Sequence, residues 1–389
     1  MVEQLLEQAT TATKEQNWSL VNSYLQQLSL EQIDSIESAL EIALSVLEYG
    51  DFEQRWDVAK IFPRFGDQAI APLIEMLEDE DAELEGRWFA GRILGQFDSI
   101  DVILTLVNLL QTTEDEELAA IATQGLANLG SNAITGLIHL LDSPNTRLLA
   151  TNALAQICHP DVIPALLSVV KDANVEVRKV AIAALSNFSD SRILPVLIEA
   201  LNDLAAVVRK EAVIGLGLKI ELAKEVDLLS HLQPRLYDFN LEVSQQAAIA
   251  LGRLGTEKAI ATLSKALQSP ATPILLQITL IQTLAWIESP LSLQSLEQSL
   301  SVVSEDAIAE IIKVLGRIKS DSLKPPATQI LLHFFKSEHP SVTKISLKKA
   351  IAYTLGQLKQ SSAIPVLEKL QNDPNLTVRL HAATALKNC

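Results

Sequence analysis

Residues 175–203 read VEVRKVAIAALSNFSDSRILPVLIEALND, and residues 207–217 begin the same phrase again as VVRKEAVIGLG. The step from Arg178 to Arg209 is 31 residues. Within each phrase, apolar residues and alanines recur at i, i+3, i+4 and i+7, which is the spacing of one buried helix face. The repeated unit therefore contains two short helices, a first helix opened by the arginine and a second helix over ILPVLIEAL.

The first-helix phrase recurs along most of the chain. Its other copies are RWDVAKIFPRFG from Arg55, RWFAGRILGQF from Arg87, LAAIATQGLANLG from Leu118, LLATNALAQIC from Leu148, VSQQAAIALGRLG from Val243, IAEIIKVLGRI from Ile308, LKKAIAYTLGQL from Leu347 and VRLHAATALKN from Val378. Second-helix phrases such as AIAPLIEML, VIPALLSVV and AIPVLEKL lie between them. Prolines stand near the predicted first turns of four second helices, where a missing N–H costs nothing. These prolines are Pro72, Pro164, Pro195 and Pro365.

One helix pair cannot bury its apolar face alone, so successive pairs must stack and share a core. The predicted fold is all-α, an α-solenoid of stacked antiparallel helix pairs, with about ten pairs and a final single helix. Residues 1–50 lack the phrase and are predicted to form a helical cap, whereas residues 51–389 form one continuous solenoid. Residues 218–240 and 320–340 are irregular, and Pro325-Pro326 should break or restart a helix.

Composition supports a folded helical protein. Of 389 residues, 48% are hydrophobic and 20% charged, which excludes a disordered chain. Only 14 glycines and 4% aromatic residues are present, and this argues against folds that need many sharp turns and ring-rich strands. The uncharged residues 266–287 are interrupted by glutamines, threonines and prolines, so they predict buried helices and not a membrane span.

Two features indicate a reducing compartment. The two cysteines, Cys158 and Cys389, form no CxxC pair, which supports neither a disulfide framework nor a tetrahedral cysteine site. The opening sequence MVEQLLEQATTATKEQ has neither the basic nor the apolar region of a secretion signal. We expect the protein in the cytoplasm.

The phrases VEVRKVAIAALS, ILPVLIEAL and VVRKEAVIGLG resemble the short HEAT repeat of bacterial and cyanobacterial proteins, a group that includes the E/F-type phycobilin lyases. The resemblance covers residues 51–389. The phrases RWDVAKIF and RWFAGRILG also make the chain similar to the IaiH-like family of cyanobacterial HEAT-repeat proteins. That similarity implies binding to an A-type iron–sulfur cluster carrier. The repeat itself is specific for fold and weak for function, since one solenoid hosts lyases, adaptors and scaffolds.

The sequence offers little for catalysis or metal binding. A nucleophile elbow, an HExxH pair, a phosphate-binding loop and a dinucleotide fingerprint are all missing, and the recurring LG pairs are interpreted as closing turns of helices. The six histidines never pair at i, i+4 with one another or with cysteine, so no metal site and no cofactor are predicted. Cys158 is predicted to be a core thiol at a helix end. Cys389, as the last residue, is a reachable thiol and a weak candidate for a cluster ligand.

Arginines open several first helices, and aspartates lie in the turns before them. We expect Arg55, Arg87, Arg178, Arg209 and Arg379 to pair with Asp51, Asp79, Asp172, Asp203 and Asp373, forming a ladder between repeats. Trp56 and Trp88 each follow one of these arginines in adjacent repeats. Tryptophan and arginine are enriched at interface hot spots, so Arg55, Trp56, Arg87 and Trp88 form the most localised candidate for a protein interface, with core packing as the alternative.

The second helices carry a polar stripe two residues before their last apolar residue. Its members are Glu75, Asn108, His139, Ser168, Glu199, Lys265, Gln298, His333 and Glu368. Second helices line the concave face in stacks of this kind, so this row is a candidate protein-binding surface. An ordinary solvated face is the alternative.

Charge is distributed unevenly along the chain. Residues 1–120 hold 6 Lys/Arg against 25 Asp/Glu, whereas residues 313–389 hold 12 against 4. The densest acidic points are Glu78-Asp79-Glu80-Asp81 with Glu83 and Glu85, and residues 114–117. Such a surface repels duplex nucleic acid and steers a protein with basic patches towards the N-terminal half.

These observations favour a non-enzymatic protein-binding scaffold. The resemblance implies an iron–sulfur carrier as its partner. A phycobilin lyase or isomerase acting on a phycobiliprotein is the alternative, and it is disfavoured because the sequence shows no dense Tyr/Trp cluster to cradle a chromophore. A structural adaptor that brings an assembly factor to its client is a third possibility.

Overall fold

The computed structural model of the chain describes residues 2–28, 36–221, 226–337 and 339–388. Over these residues every regular element is helical, with 24 α-helices and several short 3-10 turns. The chain divides into two compact units, Met1–Phe188 and Ser189–Cys389, called unit 1 and unit 2 below. The predicted all-α fold is confirmed.

Unit 1 contains three N-terminal helices followed by nine helices of the repeats. They are α1 (Val2–Lys14), α2 (Trp18–Gln27), α3 (Ile36–Tyr49), α4 (Phe52–Ala59), α5 (Ile70–Glu78), α6 (Leu84–Leu94), α7 (Ile100–Thr112), α8 (Glu116–Asn128), α9 (Ile134–Leu140), α10 (Arg147–Gln156), α11 (Ile163–Val169) and α12 (Val175–Leu185). First helices α6, α8, α10 and α12 contact one another in succession, as do second helices α5, α7 and α9.

Unit 2 continues the alternation. Its helices are α13 (Ile193–Ala200), α14 (Ala206–Leu218), α15 (Leu228–Leu232), α16 (Leu241–Leu254), α17 (Glu257–Leu267), α18 (Ile274–Ile287), α19 (Pro290–Ser299), α20 (Glu305–Leu315), α21 (Lys324–Lys336), α22 (Ile345–Leu358), α23 (Ile364–Gln371) and α24 (Leu376–Leu386). Within the described residues, first and second helices alternate from α4 to α12 in unit 1 and from α13 to α23 in unit 2, and α24 is the single helix after them, as the phrases predicted. The boundary at residue 50 and the continuity of residues 51–389 stay predictions.

The irregular segments have local causes. The predicted restart at Pro325-Pro326 is confirmed, because both prolines lie in the first turn of α21. Helix α15 has only five residues and runs into a 3-10 turn over Gln233–Tyr237, which accounts for the irregular repeat there. No helix within the described residues is both long and apolar enough to cross a membrane.

Aspartates and asparagines set where first helices begin. The Asp172 carboxylate accepts a hydrogen bond from the Asn174 N–H at 2.7 Å, and the Asn174 side chain caps α12 by accepting from the Glu176 N–H at 2.9 Å. Asp373 and Asn375 repeat this arrangement before α24. Short polar side chains of this kind stop the preceding turn and satisfy the free N–H groups of the next helix.

A ladder of arginine and lysine contacts then links several repeats to the next one within each unit. Arg209 at the start of α14 donates to the carbonyls of Asp203 and Leu204 in its own preceding turn, at 2.8 and 3.0 Å. Its remaining nitrogens, Nε and Nη2, donate to both carboxylate oxygens of Asp238, at 2.8 and 2.7 Å, in the turn before α16. One guanidinium therefore fixes two successive turns through a bidentate, charge-assisted contact.

The predicted partners of the arginines are corrected by these contacts. Arg178 and Arg379 donate to the backbone carbonyls of Asp172 and Asp373. The carboxylates of those two aspartates pair instead with the cation one repeat earlier, Arg147 at 2.7 Å and Lys348 at 2.6 Å. Sequence spacing identified the right turns but assigned the carboxylates to the wrong repeat.

The first two arginines depart further from the expectation. Arg55 pairs with Glu83, the N-cap of α6, and with Glu85 in the first turn of α6, and it donates to the carbonyl of Glu48 at 2.9 Å. Asp51 is occupied as the N-cap of α4. Arg87 donates from Nε to the carbonyl of Leu77 at 3.0 Å, and Asp79 instead accepts from the Asp81 N–H.

Glycines near the ends of first helices allow the helices to approach closely. A Cβ placed on Gly95, the C-cap of α6, would lie 2.6 Å from the Cα of Gly125 in α8. In unit 2, a Cβ on Gly356 would lie 2.8 Å from the Cβ of Ala385. The interpretation of the LG pairs as closing turns was therefore incomplete. Glycine is needed there because any side chain would meet the next first helix.

Replacing Gly95 with alanine should destabilise unit 1, because the new methyl group meets backbone that cannot move without shifting α8. We expect a loss of about 1–3 kcal/mol, measured by urea unfolding. Gly86→Ala is the matched control in the same helix, since its Cβ would meet only the carbonyl of Leu47 at 3.5 Å. That control should be neutral or gain up to about 1 kcal/mol. Equal stability of Gly95→Ala and the wild type would contradict the close approach.

The Arg209–Asp238 contact should make stability depend on pH. Burial raises the pKa of the Asp238 carboxyl, but hydrogen bonds from Arg209 and from the Asn240 N–H outweigh it and hold the pKa below its ordinary value. At pH 7 Asp238→Asn should therefore cost about 1.5–3 kcal/mol. The stability difference between wild type and variant should shrink as the pH falls from about 4 through the lowered pKa of Asp238, because the unfolded chain then takes up a proton that the folded carboxylate resists.

Asp321→Asn is the matched control. The Asp321 carboxylate pairs with Lys324 at the surface, and its side chain is exposed, so solvent screens the pair. We expect no measurable change in denaturant midpoint for this variant at any pH. A constant difference between wild type and Asp238→Asn from pH 7 to pH 3 would contradict the assignment.

Candidate functional site

The most distinctive surface of unit 1 lies on first helices α4 and α6. Trp56 projects from α4, and Trp88 and Arg92 project from α6 one turn apart. The Arg92 guanidinium lies 4.4 Å from the centre of the Trp56 ring and 5.6 Å from that of Trp88. Both distances are within the range of cation–π attraction, so the two rings hold the arginine in place.

Further rings extend this surface, and we call the whole set the aromatic cluster. Phe52 stacks on Trp56 with centroids 6.0 Å apart, and the buried Phe89 meets Trp88 edge-on at 5.1 Å. Phe52 is 50% exposed and Trp56 38% exposed, whereas Trp88 is half-buried. A separate stack joins Trp18 to the exposed Tyr49 at 6.1 Å.

The prediction that the chain has no dense aromatic cluster was wrong. The rings are scattered between residues 52 and 89 in sequence, but equivalent positions on consecutive first helices become neighbours when the pairs stack. Composition gives only the average aromatic content of the chain, so it cannot show that rings on consecutive first helices become neighbours.

A groove of about 250 Å³ begins at the aromatic cluster and crosses α4, α6 and α8. Its wall carries Trp56, Lys60 and Arg92, and its far side carries the exposed amides Gln96, Gln124 and Asn128. Gly125 lies on the floor, so the contact between Gly95 and Gly125 described above also sets the depth of the groove. The Gln124 Nε2 donates to the Asn128 Oδ1 at 2.9 Å.

The electrostatics of the groove are dominated by Arg92. Lys60 is already paired with Asp57 at 2.8 Å. Arg92 forms no ion pair and donates no hydrogen bond to any residue of the part of unit 1 that the structure describes. An exposed guanidinium thus stands at the mouth of the groove with its edge open to solvent.

The sequence carries a signal for these residues that the phrase comparison overlooks. Counted from Arg87, Arg92 is at +5 and Gln96 at +9, and the equivalent positions of α8 hold Gln124 and Asn128. Unit 2 repeats the amides at +9 on α22 and α24, as Gln357 and Asn388, which line a groove of about 690 Å³. Comparing the outward-facing positions of the first helices, in place of those of the second helices, would have identified this surface.

The polar stripe predicted on second helices has the predicted placement. Each member lies on a second helix and is exposed: Glu75, Asn108, His139, Ser168, Glu199, Lys265, Gln298, His333 and Glu368. In unit 2, His333 Nδ1 lies 3.4 Å from Glu297 Oε1, and Lys265 and Gln298 share a groove of about 570 Å³. A partner-binding role for the stripe stays a prediction.

Arg55 and Arg87 differ from the tryptophans that follow them. Arg55 is 2% exposed and held by two glutamates, so it braces the turn before α6 and leaves little surface for a partner. Arg87 is half-buried and bound to a backbone carbonyl. Trp56 is exposed and Trp88 half-buried, and their role in binding stays a prediction.

The prediction for Cys158 was wrong. Its side chain is exposed in the turn after α10, with Sγ 3.9 Å from the carbonyl of Gln156. The helix ends at Gln156, and Ile157 takes the buried position instead. Cys389 lies outside the described residues. Within the described ranges, no three His, Cys, Asp or Glu side chains gather as metal ligands would.

The stacked helix pairs define an α-solenoid built from short repeats. The signature of HEAT repeats matches residues 70–145, 134–217 and 228–310. The chain belongs to the HEAT repeat family. Its sequence has no significant match among curated proteins.

Solved structures share the fold at low identity. Kap95p with RanGDP is 14% identical with a TM-score of 0.57, covering 99% of this chain and 60% of that one. Importin beta is 14% identical with a TM-score of 0.52, covering 98% and 59%. Kap121p with Nup53p is 16% identical with a TM-score of 0.54, covering 95% and 51%. The chain thus spans little more than half of each of these proteins, and the likeness establishes fold alone.

The exposed position of Cys158 predicts rapid reaction with N-ethylmaleimide in the folded protein. We would use the Cys389→Ser variant, so that only one thiol is present, and follow the added mass by intact mass spectrometry. Labelling should be complete without denaturant, at a rate close to that in urea. Labelling that requires urea would contradict the exposed placement.

Proposed function

We propose that this protein is a non-enzymatic protein-binding scaffold whose partner docks on the first-helix groove of unit 1. The observation that carries the proposal is the aromatic cluster with Arg92 at its centre. Exposed tryptophans around an arginine, beside a groove lined with amides, have the composition of an interface hot spot. Apolar rings left on the surface of a folded domain commonly mark such a site.

The acidic turn between α5 and α6 supports electrostatic steering of a partner with basic patches. Glu78, Asp79, Glu80 and Asp81 are exposed, so their charges face solvent. Glu83 and Glu85 are engaged by Arg55 and belong to the fold. Only the first four residues are therefore free to raise an association rate.

We propose an A-type iron–sulfur cluster carrier as the partner. The phrases RWDVAKIF and RWFAGRILG, which carry the resemblance to the IaiH-like family, are the same segments that supply Trp56, Trp88 and Arg92. Related support comes from solved structures of the same fold, since Kap95p binds RanGDP and Kap121p binds Nup53p. Protein binding is thus one use of this kind of surface.

A phycobilin lyase or isomerase acting on a phycobiliprotein remains the second candidate, and the aromatic cluster favours it more than the sequence did. Aromatic rings and a cation could hold an open-chain tetrapyrrole and its carboxylates. The groove of about 250 Å³ is, however, smaller than the roughly 300–1,000 Å³ of typical small-molecule sites. A stoichiometric, spectrally shifted complex with free phycobilin would favour the lyase.

Binding kinetics to an immobilised A-type carrier test the proposal. Trp56→Ala should raise the dissociation rate about tenfold or more, because the ring anchors the interface. Trp286→Ala is the matched control, since Trp286 is a 62% exposed tryptophan of unit 2 outside the groove. Circular dichroism must show unchanged helix content in both variants.

Two further arms separate the parts of the proposal. Reversing Glu78, Glu80 and Asp81 to lysine should lower the association rate at low ionic strength and leave the dissociation rate nearly unchanged.

If the carrier does not bind, proteins from native lysate are captured in parallel on immobilised wild type and on immobilised Trp56→Ala. Proteins that wild type captures and Trp56→Ala does not would support the scaffold function and would identify a partner other than the carrier. Identical capture by both would overturn the groove as the docking site.

A further inference from the structure

The contacts of Arg92 differ from those of the arginines nearest to it in sequence. Arg55, Arg64 and Arg87 all donate to carboxylates or carbonyls of the protein. Arg92 is held by the ring faces of Trp56 and Trp88 and donates to no described residue. Its charge is oriented by the rings but not neutralised, even though residues 1–120 hold 25 acidic side chains.

The geometry leaves one part of the guanidinium available. The Arg92 side chain is exposed and its guanidinium donates to no described residue, so an edge of N–H groups is accessible from solvent. That edge is a fork of donors, and its best complement is a carboxylate, which accepts two parallel hydrogen bonds.

The remainder of the groove fits an extended backbone. Gln124 Nε2 donates to Asn128 Oδ1 at 2.9 Å, which leaves the Gln124 carbonyl oxygen and both Asn128 N–H groups unused by this pair on two residues that line the groove. Side-chain amides with free donors and acceptors can pair with peptide N–H and C=O groups. The exposed parts of the Phe52 and Trp56 side chains offer a place for an apolar side chain next to the carboxylate.

We propose that the groove across α4, α6 and α8 takes an extended segment of the partner protein in which an Asp or Glu stands beside an apolar residue. The carboxylate pairs with the edge of Arg92, the apolar side chain packs on the aromatic cluster, and the amides hold the backbone. The proposal rests on the proposed function and adds the chemistry of the segment that is recognised.

Other ligands fit less well. A basic segment would place its charge against Arg92 in the groove itself, although it could still contact the acidic turn before α6. A polyanion such as nucleic acid would meet the negative charge of the surrounding unit. Arg92 is eight residues beyond the start of α6, about 12 Å along the helix, so salt at physiological strength screens the acidic turn from it.

A phage-displayed library of random dodecapeptides, selected on the full-length protein, tests the proposal while the partner is still unidentified. Recovered peptides should share an Asp or Glu next to Leu, Ile, Phe or Trp. Selection on Arg92→Gln should lose this motif. Arg253→Gln, which changes an exposed arginine in unit 2, should retain it. Circular dichroism confirms that both variants are folded.

Calorimetry on the leading peptide then isolates the contact. Replacing its acidic residue with the amide isostere, or Arg92 with glutamine, should each weaken binding about tenfold or more. Making both changes should weaken binding little beyond either one alone, because the two groups act on each other. Phosphoserine in place of the acidic residue should bind no more tightly than Asp.

The results that would contradict the inference differ from those that would contradict the proposed function. No enriched motif, a Lys/Arg-rich motif, tighter binding of the phosphopeptide, or the same motif on Arg92→Gln would each overturn the inference. If partner binding still depends on Trp56 in that case, the proposed function stands and only the carboxylate chemistry fails. If acidic peptides bind through Arg92 while the partner ignores Trp56→Ala, the groove recognises the acidic–apolar motif, but the proposed function fails and the partner segment is overturned with it.

Discussion

The close stacking of successive first helices is the constraint on which the rest of each unit depends. A glycine near the end of one first helix faces a small residue of the next, as Gly95 faces Gly125 and Gly356 faces Ala385. Because the helices touch at these points, their outward residues on neighbouring repeats fall within reach of one another. The arginine ladder holds the same spacing at the opposite end of the helices, through contacts such as Arg209–Asp238.

The candidate site follows from that spacing. Trp56 and Arg92 belong to different repeats, and their 4.4 Å contact exists only because α4 and α6 are neighbours in the stack. Gly125, which meets Gly95, lines the groove, and the amides on its far side come from the turn after α6 and from α8. The candidate surface thus arises from exposed polar and aromatic residues of successive repeats in unit 1. Its chemistry is set by which residues stand at two outward positions of each first helix.

Periodicity predicted the fold well because it reports burial, and burial dominates in a stack of amphipathic helices. It gave the alternation of first and second helices, the single last helix and the exposure of the residues from Glu75 to Glu368. Its failures concern contacts between repeats. Asp172 and Asp373 were assigned to the arginine that follows them, whereas their carboxylates bind the cation one repeat earlier. Arg92 was overlooked because its partners are rings on two helices, and Cys158 was misplaced because α10 ends two residues before it.

The central claim is that a partner engages the first helices of unit 1 rather than the second-helix stripe. Hydroxyl-radical footprinting of the complex, read residue by residue by mass spectrometry, compares these surfaces directly because tryptophan and histidine both react. Trp56 and Trp88 report on the first helices, and His139 reports on the stripe of the same unit. We expect binding to protect both tryptophans and to leave the oxidation of His139 unchanged. Protection of His139 with the tryptophans still fully reactive would contradict the account.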